Sequence, residues 1–320
     1  MKSQTKPDLR VKIGNLELKN PLMTASGTCG YGEELQEYFD VSSMGAIVTK
    51  SLTLKPKRGN APPRVTEAGS GMLNSIGLAN IGIERFLAEK LPRLRETEAT
   101  VIANIAAKRV EDYVSLAGRL SDCGNIKGLE LNLSCPNVKE GGMEFGTDEK
   151  ILRLIVKGVR RAFPQTLIVK LTPNVTRISD FARAAEDEGA DGVSVANTYV
   201  GMAIDIRTRR PKIRTVTGGY SGPAIKPLTM AKVFQAHGAV KIPVIASGGV
   251  FAWQDVIEYL IAGATAVEVG TLFFVKPDFM GKFLYEIESY LLTVGVARIS
   301  ELIGSLDVNM GVVPGVTTPQ

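Results

Sequence analysis

Five polar residues stand at the ends of apolar runs in this chain. Lys50 closes GAIVTK, Asn104 sits in TVIANIA, Asn132 in GLELNLS, Lys170 in LIVKLTP and Asn197 in GVSVANT. A buried strand gains no packing by finishing in lysine or asparagine. Each alone fits a contact with a neighbouring loop. Together, two cations and three amides suit an electron-rich, heteroatom-dense ligand that carries negative charge. Two later runs end in glycine: PVIASGG, with Gly248 and Gly249, and AVEVGT, with Gly270 and Thr271. Backbone N–H groups at such turns hold phosphate, and a phosphate on a large aromatic cofactor fits the amides better than a free sugar phosphate. Cys135, in LNLSCPN, follows a strand end beside Asn132. In the field of Lys50 and Lys170 its thiol, with an ordinary pKa of about 8.5, can act as a base. Cys29 and Cys123 read as buried hydrophobes, and His237 as a structural residue late in a helix.

The elements that must position these groups follow from a repeating pattern of apolar, β-branched run, polar or glycine-rich end, and amphipathic stretch. Eight runs fit: PLMTAS (ending at Ser26), GAIVTK, TVIANIA, GLELNLS, LIVKLTP, GVSVANT, PVIASGG and AVEVGT. Runs this apolar, alternating with helices, are buried parallel strands, and eight of them predict a TIM (β/α)8 barrel. Helices are predicted over Glu33–Asp40, Glu84–Arg95, Val110–Leu120, Asp148–Phe163, Ser179–Glu188 and Trp253–Ala262, with Thr147 and Ser179 as N-caps. The intervals from Lys50 to Asn104 and from Asn197 to Gly248 exceed one βα unit, so insertions at about 52–82 and 199–223 belong over the C-terminal mouth. A third, at 136–146, carries three glycines and reads as a lid. LRVKIGNLELKN is an N-terminal β-hairpin turning at Gly14-Asn15 and capping the barrel floor.

Composition narrows the function. Of 320 residues, 44% are hydrophobic and 22% charged, so a large core is affordable and 1–320 is expected to form a single barrel domain. The net charge is only +5 and no basic run is interleaved with aromatics, which argues against nucleic acid. One histidine and three cysteines without a CxxC pair exclude a zinc site or an iron–sulfur cluster held by this chain alone. MKSQTKPDLR is no signal peptide, and the most apolar stretch, 256–275, contains Glu258 and Glu268, so a cytoplasmic protein without a membrane span is expected.

The ordered set ASGTCGYG, TKSLTLKPKRGNAPPR, MLNSIGLANIG, NLSCPN, VKLTPN, ANTYVGMAID, GGYSGPAIKP, ASGGV and VGT resembles the class 1 dihydroorotate dehydrogenases from about Leu9 to about Gly281. The resemblance implies an FMN-binding TIM barrel that oxidises dihydroorotate to orotate in de novo pyrimidine (UMP) biosynthesis. It implies Cys135 as the base that removes the C5 proton while hydride leaves C6 for FMN. Lys50, Asn74, Ser75, Ile76, Gly77, Leu78, Asn132, Asn197 and Thr198 match the substrate pocket. Ser26, Lys50, Ser51, Asn104, Asn132, Lys170, Ala196, Gly222, Gly248, Gly249, Gly270 and Thr271 match the FMN contacts. Serine stands at the Cys135 position in class 2, which is one reason the pattern is similar to class 1.

NTYVGMAID followed by TGGYSGPAIKP is similar to the NAD-linked 1B type. That type implies a homodimer joined to an electron-transfer subunit carrying FAD and a 2Fe–2S cluster, a heterotetramer in all. Tyr220 and Ala196 depart from the family, standing where leucine and a bulkier aliphatic are common. The alternatives are a fumarate-using class 1A homodimer, a dihydropyrimidine dehydrogenase-like enzyme, a Schiff-base aldolase using Lys170, and a non-catalytic flavin- or phosphate-binding barrel.

Overall fold

In the computed structural model, which describes residues 6–133 and 146–308, the chain starts with a hairpin, β1 (Val11–Ile13) and β2 (Leu16–Leu18). Gly14 turns it at φ 56°, and a Cβ there would come within 2.7 Å of Asp191, which precedes a barrel strand. The hairpin therefore closes the N-terminal end of the barrel, as expected.

Barrel strands begin with β3 (Leu22–Thr24) and β4 (Ile47–Val48). The first insertion then adds β5 (Val65–Glu67) and β6 (Met72–Asn74). Next come β7 (Val101–Ile105), β8 (Ile126–Asn132), β9 (Thr166–Leu171) and β10 (Gly192–Val195). The second insertion supplies β11 (Tyr199–Met202), β12 (Ile204–Asp205), β13 (Arg210–Pro211) and β14 (Thr217–Ser221). Finally β15 (Val244–Ser247) and β16 (Ala264–Val269) complete the sheet. Its order is β3-β16-β15-β10-β9-β8-β7-β4, all neighbours parallel, and each predicted run supplies one strand.

Between β3 and β4 the strands are too short for a regular ladder, and side chains finish the closure. The Asn20 amide donates to the Ser43 carbonyl (2.8 Å), while its oxygen accepts from the N–H of Leu22 (3.1 Å) and Gly45 (3.2 Å). Thr24 Oγ1 donates to the Val48 carbonyl and accepts from the Val48 N–H.

The helices cover the outside by apolar stripes. In α3 (Val110–Ser121), Tyr113, Leu116, Ala117 and Leu120 are buried; in α4 (Glu149–Ala162), Leu152, Ile155, Val156 and Val159. Full burial of each Leu, Ile or Val among them stabilises by about 1.5–3 kcal/mol, an upper bound. Helices α5 (Ile178–Asp187), α6 (Lys226–His237), α7 (Trp253–Ile261) and α8 (Met280–Val294) continue the ring.

Several local expectations are corrected. Residues 33–40 form only a single 3-10 turn at Glu33–Leu35, because Leu35 is buried while Tyr38 points to solvent and no apolar stripe is sustained. The segment after Gly82 is α1 (Gly82–Arg85), a widened turn in which the Leu91 N–H reaches the Phe86 carbonyl, and α2 (Leu91–Arg95). Pro92 lacks the N–H that a regular turn needs there. Asp148, not Thr147, caps α4, accepting from Lys150 and Ile151 N–H, since a carboxylate is the stronger acceptor at a helix start. Arg177, not Ser179, holds the N-cap position of α5. Cys29 is buried, but Cys123 is only partly so, with its thiol on the Arg119 carbonyl. His237 ends α6 and lies over Gly263.

The two insertions form one antiparallel sheet, β11-β14-β6-β5, in which Gly219 pairs with Asn74 and Ser221 with Met72. Of the 136–146 insertion only Gly146 lies within the described residues. None of the helices described is long and apolar enough to cross a membrane.

Asn20→Ala removes three hydrogen bonds at the seam and takes the acceptor from the buried Leu22 N–H, while the Gly45 N–H keeps the Leu22 carbonyl. A loss of roughly 2 kcal/mol is expected, read from the urea midpoint; a loss below roughly 0.5 kcal/mol would show that the seam closes without this amide.

Candidate active site

The C-terminal strand ends surround a cavity of about 270 Å³, roofed in part by the sheet of the two insertions. That is room for an elongated ligand, far beyond a water. At one side Ser26, Lys50 and Ser51 follow β3 and β4; Asn132 and Lys170 stand on β8 and β9, and Ala196, Asn197 and Thr198 follow β10. Asn74, Ile76, Gly77 and Leu78 reach in from the first insertion, and Gly248, Gly249, Gly270 and Thr271 from the last two strand ends. Sixteen residues named from the sequence thus line one space.

The amides are tied in sequence. Asn197 Nδ2 donates to Asn132 Oδ1 (3.2 Å), Asn132 Nδ2 to Ser51 Oγ (3.2 Å), and Tyr113 OH holds the Asn132 carbonyl (2.8 Å). Asn74 Nδ2 donates to the Gly219 carbonyl at 3.4 Å, so the second sheet orients it. Gly77 and Leu78 take φ 74° and 58°. For leucine that conformation is costly, and such strain is held where a site needs a particular backbone.

At the other end Gly249 has φ 74°, and a Cβ there would come within 2.6 Å of the Lys226 N atom. Asp255 at the start of α7 accepts the N–H groups of Phe251 and Ala252 (2.8 Å each), while Gly248 to Val250 face the cavity. Tyr259 OH pins the Gly248 carbonyl (2.6 Å), and Thr271 Oγ1 donates to Ser221 Oγ (2.9 Å). The bare backbone fits a phosphate.

Lys50 is half-buried and pairs with no carboxylate among the described residues. Burial, then repulsion by Arg64, lowers its pKa from the ordinary lysine value. Lys170 is different. Its ammonium bonds the Glu268 carboxylate and lies 3.9 Å from Glu130. Burial opposes its charge, but the two carboxyls outweigh burial and its pKa rises. Burial, then the charge of Glu268, pushes Glu130 well up; Glu268 is held down, Lys170 and hydrogen bonds prevailing over its burial. Burial also pushes the Cys29 thiol up to about 12, which leaves it inert.

Three expected residues are not in the cavity wall. Asn104 is fully buried one layer lower, donating to Glu130 Oε1 (2.6 Å), because it pairs in register with Glu130 and not with Asn132. Ser75 is buried behind Asn74, its N–H on the Arg64 carbonyl. Gly222 packs against Gly71. Tyr220 also turns away, over Gly71 and Gly201, whereas Ala196 lines the cavity. Cys135 lies outside the described residues. Sequence reasoning passed over Glu268, Ser247, Thr28 and Phe274, which line the cavity, and Glu130 beneath it. A glutamate inside the otherwise apolar AVEVGT was the available signal.

Fold and site together define a (β/α)8-barrel protein with an anion-accepting, amide-lined cavity at its mouth. The family model described as dihydroorotate dehydrogenase matches residues 8–291, and the chain belongs to that family. Curated relatives named dihydroorotate dehydrogenase B (NAD(+)), catalytic subunit, agree. The protein from Geobacter sulfurreducens is 50% identical over 95% of this chain and 99% of its own length. That from Bacteroides thetaiotaomicron is 47% identical over 94% and 99%. The crystal structure of the Eimeria tenella dihydroorotate dehydrogenase in complex with ferulenol shares the fold, with a TM-score of 0.77 at 24% identity over 95% of this chain and 90% of that one.

The Glu130 shift has a consequence for stability. An acid whose folded pKa lies above its ordinary 4.5 binds more protons folded than unfolded, so it costs stability as pH climbs from that value. Between about pH 5 and pH 8 the wild type should therefore lose more stability than Glu130→Gln, measured by urea titration at each pH. Parallel curves for the two proteins would mean that Glu130 titrates normally.

Proposed function

We infer that this chain oxidises dihydroorotate to orotate in pyrimidine biosynthesis, as the catalytic subunit of an NAD-linked system. Dihydroorotate gives up a proton from C5 and a hydride from C6 and gains the C5=C6 double bond. With NAD as final acceptor the balance is dihydroorotate plus NAD+ to orotate plus NADH and a proton. One observation carries the reading: the half-buried Lys50, without a carboxylate partner among the described residues, shares a cavity with Asn74, Asn132 and Asn197.

Lys50 would hold the substrate carboxylate, and the three asparagines its imide edges, since an amide offers both donor and acceptor. FMN, when bound, supplies the two-electron acceptor. Ser26, Ser51, Lys170 and Ala196 line the wall it would occupy, and Gly248, Gly249, Gly270 and Thr271 would take its phosphate. Cys135 is the proposed base for the C5 proton; the support is its place in NLSCPN, next to Asn132.

The named relatives are catalytic subunits, which supports a separate electron-transfer partner. FAD and a 2Fe–2S cluster are assigned to that partner, because three cysteines here cannot ligate a cluster. We assign a homodimer of this chain with two such partners, in the cytoplasm, and one FMN per chain. A Schiff-base aldolase is disfavoured: an imine-forming lysine must lose its proton, and Lys170 is held charged by Glu268.

The test is anaerobic. The chain purified with FMN should be yellow and bleach on adding dihydroorotate, and neither NAD nor fumarate should restore the colour until the partner subunit is added. Recolouring by fumarate alone would point to the 1A type; a yellow protein indifferent to dihydroorotate would overturn the assignment. Cys135→Ser should keep its FMN but slow the bleaching by about 100-fold or more. An undiminished rate would take Cys135 out of the mechanism.

A further inference from the structure

At the cavity floor, and one layer beneath it, lies a charge cluster that the reaction does not consume. Lys170 on β9 stands between carboxyls from β16 and β8, with side-chain exposures of 5% for Lys170 and 0% for Glu268 and Glu130. The two carboxyls are not equivalent. Glu268 lines the cavity, bonds Lys170 directly, and accepts from Ser194 Oγ at 2.9 Å. Glu130 lies away from the cavity wall; its Oε1 accepts from Asn104, while its Oε2 meets no donor among the described residues. Two buried carboxyls beside one ammonium share a single negative charge. The direct ammonium and the serine hydroxyl place that charge on Glu268, and the undonated oxygen of Glu130 is where the proton sits.

We propose that Glu268 is a positioning residue for the redox step: its carboxylate, fixed against Lys170 at the cavity floor, cancels the lysine charge and holds down the reduction potential of the flavin that Lys170 faces. This rests on the assignment of FMN to the cavity made above. An uncompensated ammonium would stabilise the electron density that two-electron reduction adds to the flavin. A carboxylate on the same ammonium withdraws that gain, leaving a flavin that gives up electrons readily. That property suits onward delivery to a nicotinamide.

The experiment is spectroelectrochemical titration of the FMN-loaded chain. Glu268→Gln removes the negative charge next to the cavity, and any charge then assumed by Glu130 lies farther from the lysine and outside the wall. The reduced-to-oxidised ratio at fixed potential should rise tenfold or more, about 30 mV for a two-electron couple. Glu130→Gln replaces a neutral acid by a neutral amide and should shift the ratio less than threefold. A purely structural role predicts similar shifts, or none, in both variants, and either result overturns the proposal. Should Glu268→Gln fail to retain flavin, Ser194→Ala strips one hydrogen bond from the Glu268 carboxylate. A smaller rise, of about threefold, is then expected, and no rise overturns the proposal. If the wild-type chain takes up no FMN, the functional assignment falls and this inference with it; an unmoved potential in flavin-loaded variants overturns this inference alone.

Discussion

Closure of one seam governs everything at the mouth. A sheet of eight parallel strands exposes two edges unless its first and last members meet. Here those members are β3 and β4, of three and two residues, and they supply little ladder of their own. Asn20 and Thr24 reinforce the two backbone bonds of the seam, Thr24 N–H to the Ala46 carbonyl and Gly45 N–H to the Leu22 carbonyl, each side chain acting as donor and acceptor at once. Only in a closed barrel do strand ends separated by up to 244 positions, from Ser26 to Gly270, face a single space. An opened seam would splay Ser26 and Gly270 away from Lys50, though no side chain of the cavity had changed.

Beneath that mouth the barrel departs from the usual aliphatic filling. Asn104, Glu130, Lys170, Ser194 and Glu268 occupy positions where valine or isoleucine would pack. Desolvating an ion pair costs about as much as its attraction returns, so the cluster is poor evidence for stability. Its members are also hydrogen-bonded to one another across strands that are far apart in sequence, which fixes Lys170 in orientation and in charge. A lysine so held cannot serve as a nucleophile, though it can present a constant dipole to whatever lies above it.

The strands were legible because each is a compact apolar run, and the amphipathic helices because their stripes recur at helical spacing, as at Leu152, Ile155, Val156 and Val159. The insertions were legible as excess length. Their pairing was not: Asn74 and Gly219 meet across 145 positions, and neither segment carries a local pattern that names the other. Asn104 misled because strand-end polarity does not reveal depth. In the register it lies opposite Glu130, one layer below the Asn132–Lys170 pair. The α4 cap was missed because Thr147 and Asp148 are adjacent residues of good capping type, and it is the Asp148 carboxylate that takes the Lys150 and Ile151 N–H groups.

Two lysines that read alike in sequence therefore do different work. Lys50 and Lys170 both close apolar runs, and both face one cavity. Lys50 has a guanidinium, that of Arg64, as its strongest charged neighbour, so its field stays available to an incoming anion. Lys170 has its charge matched from below, so its field toward the cavity is that of a neutral pair. Had Lys170 lacked its carboxylate partner, two uncompensated ammonium groups would have faced one cavity. With Lys50 unpaired among the described residues and Lys170 compensated, the attraction for an anion comes from Lys50, which lines the same cavity as Asn74, Gly77 and Leu78. On the functional reading proposed above, the substrate carboxylate would meet Lys50, while the flavin would lie over a floor of nearly zero net charge.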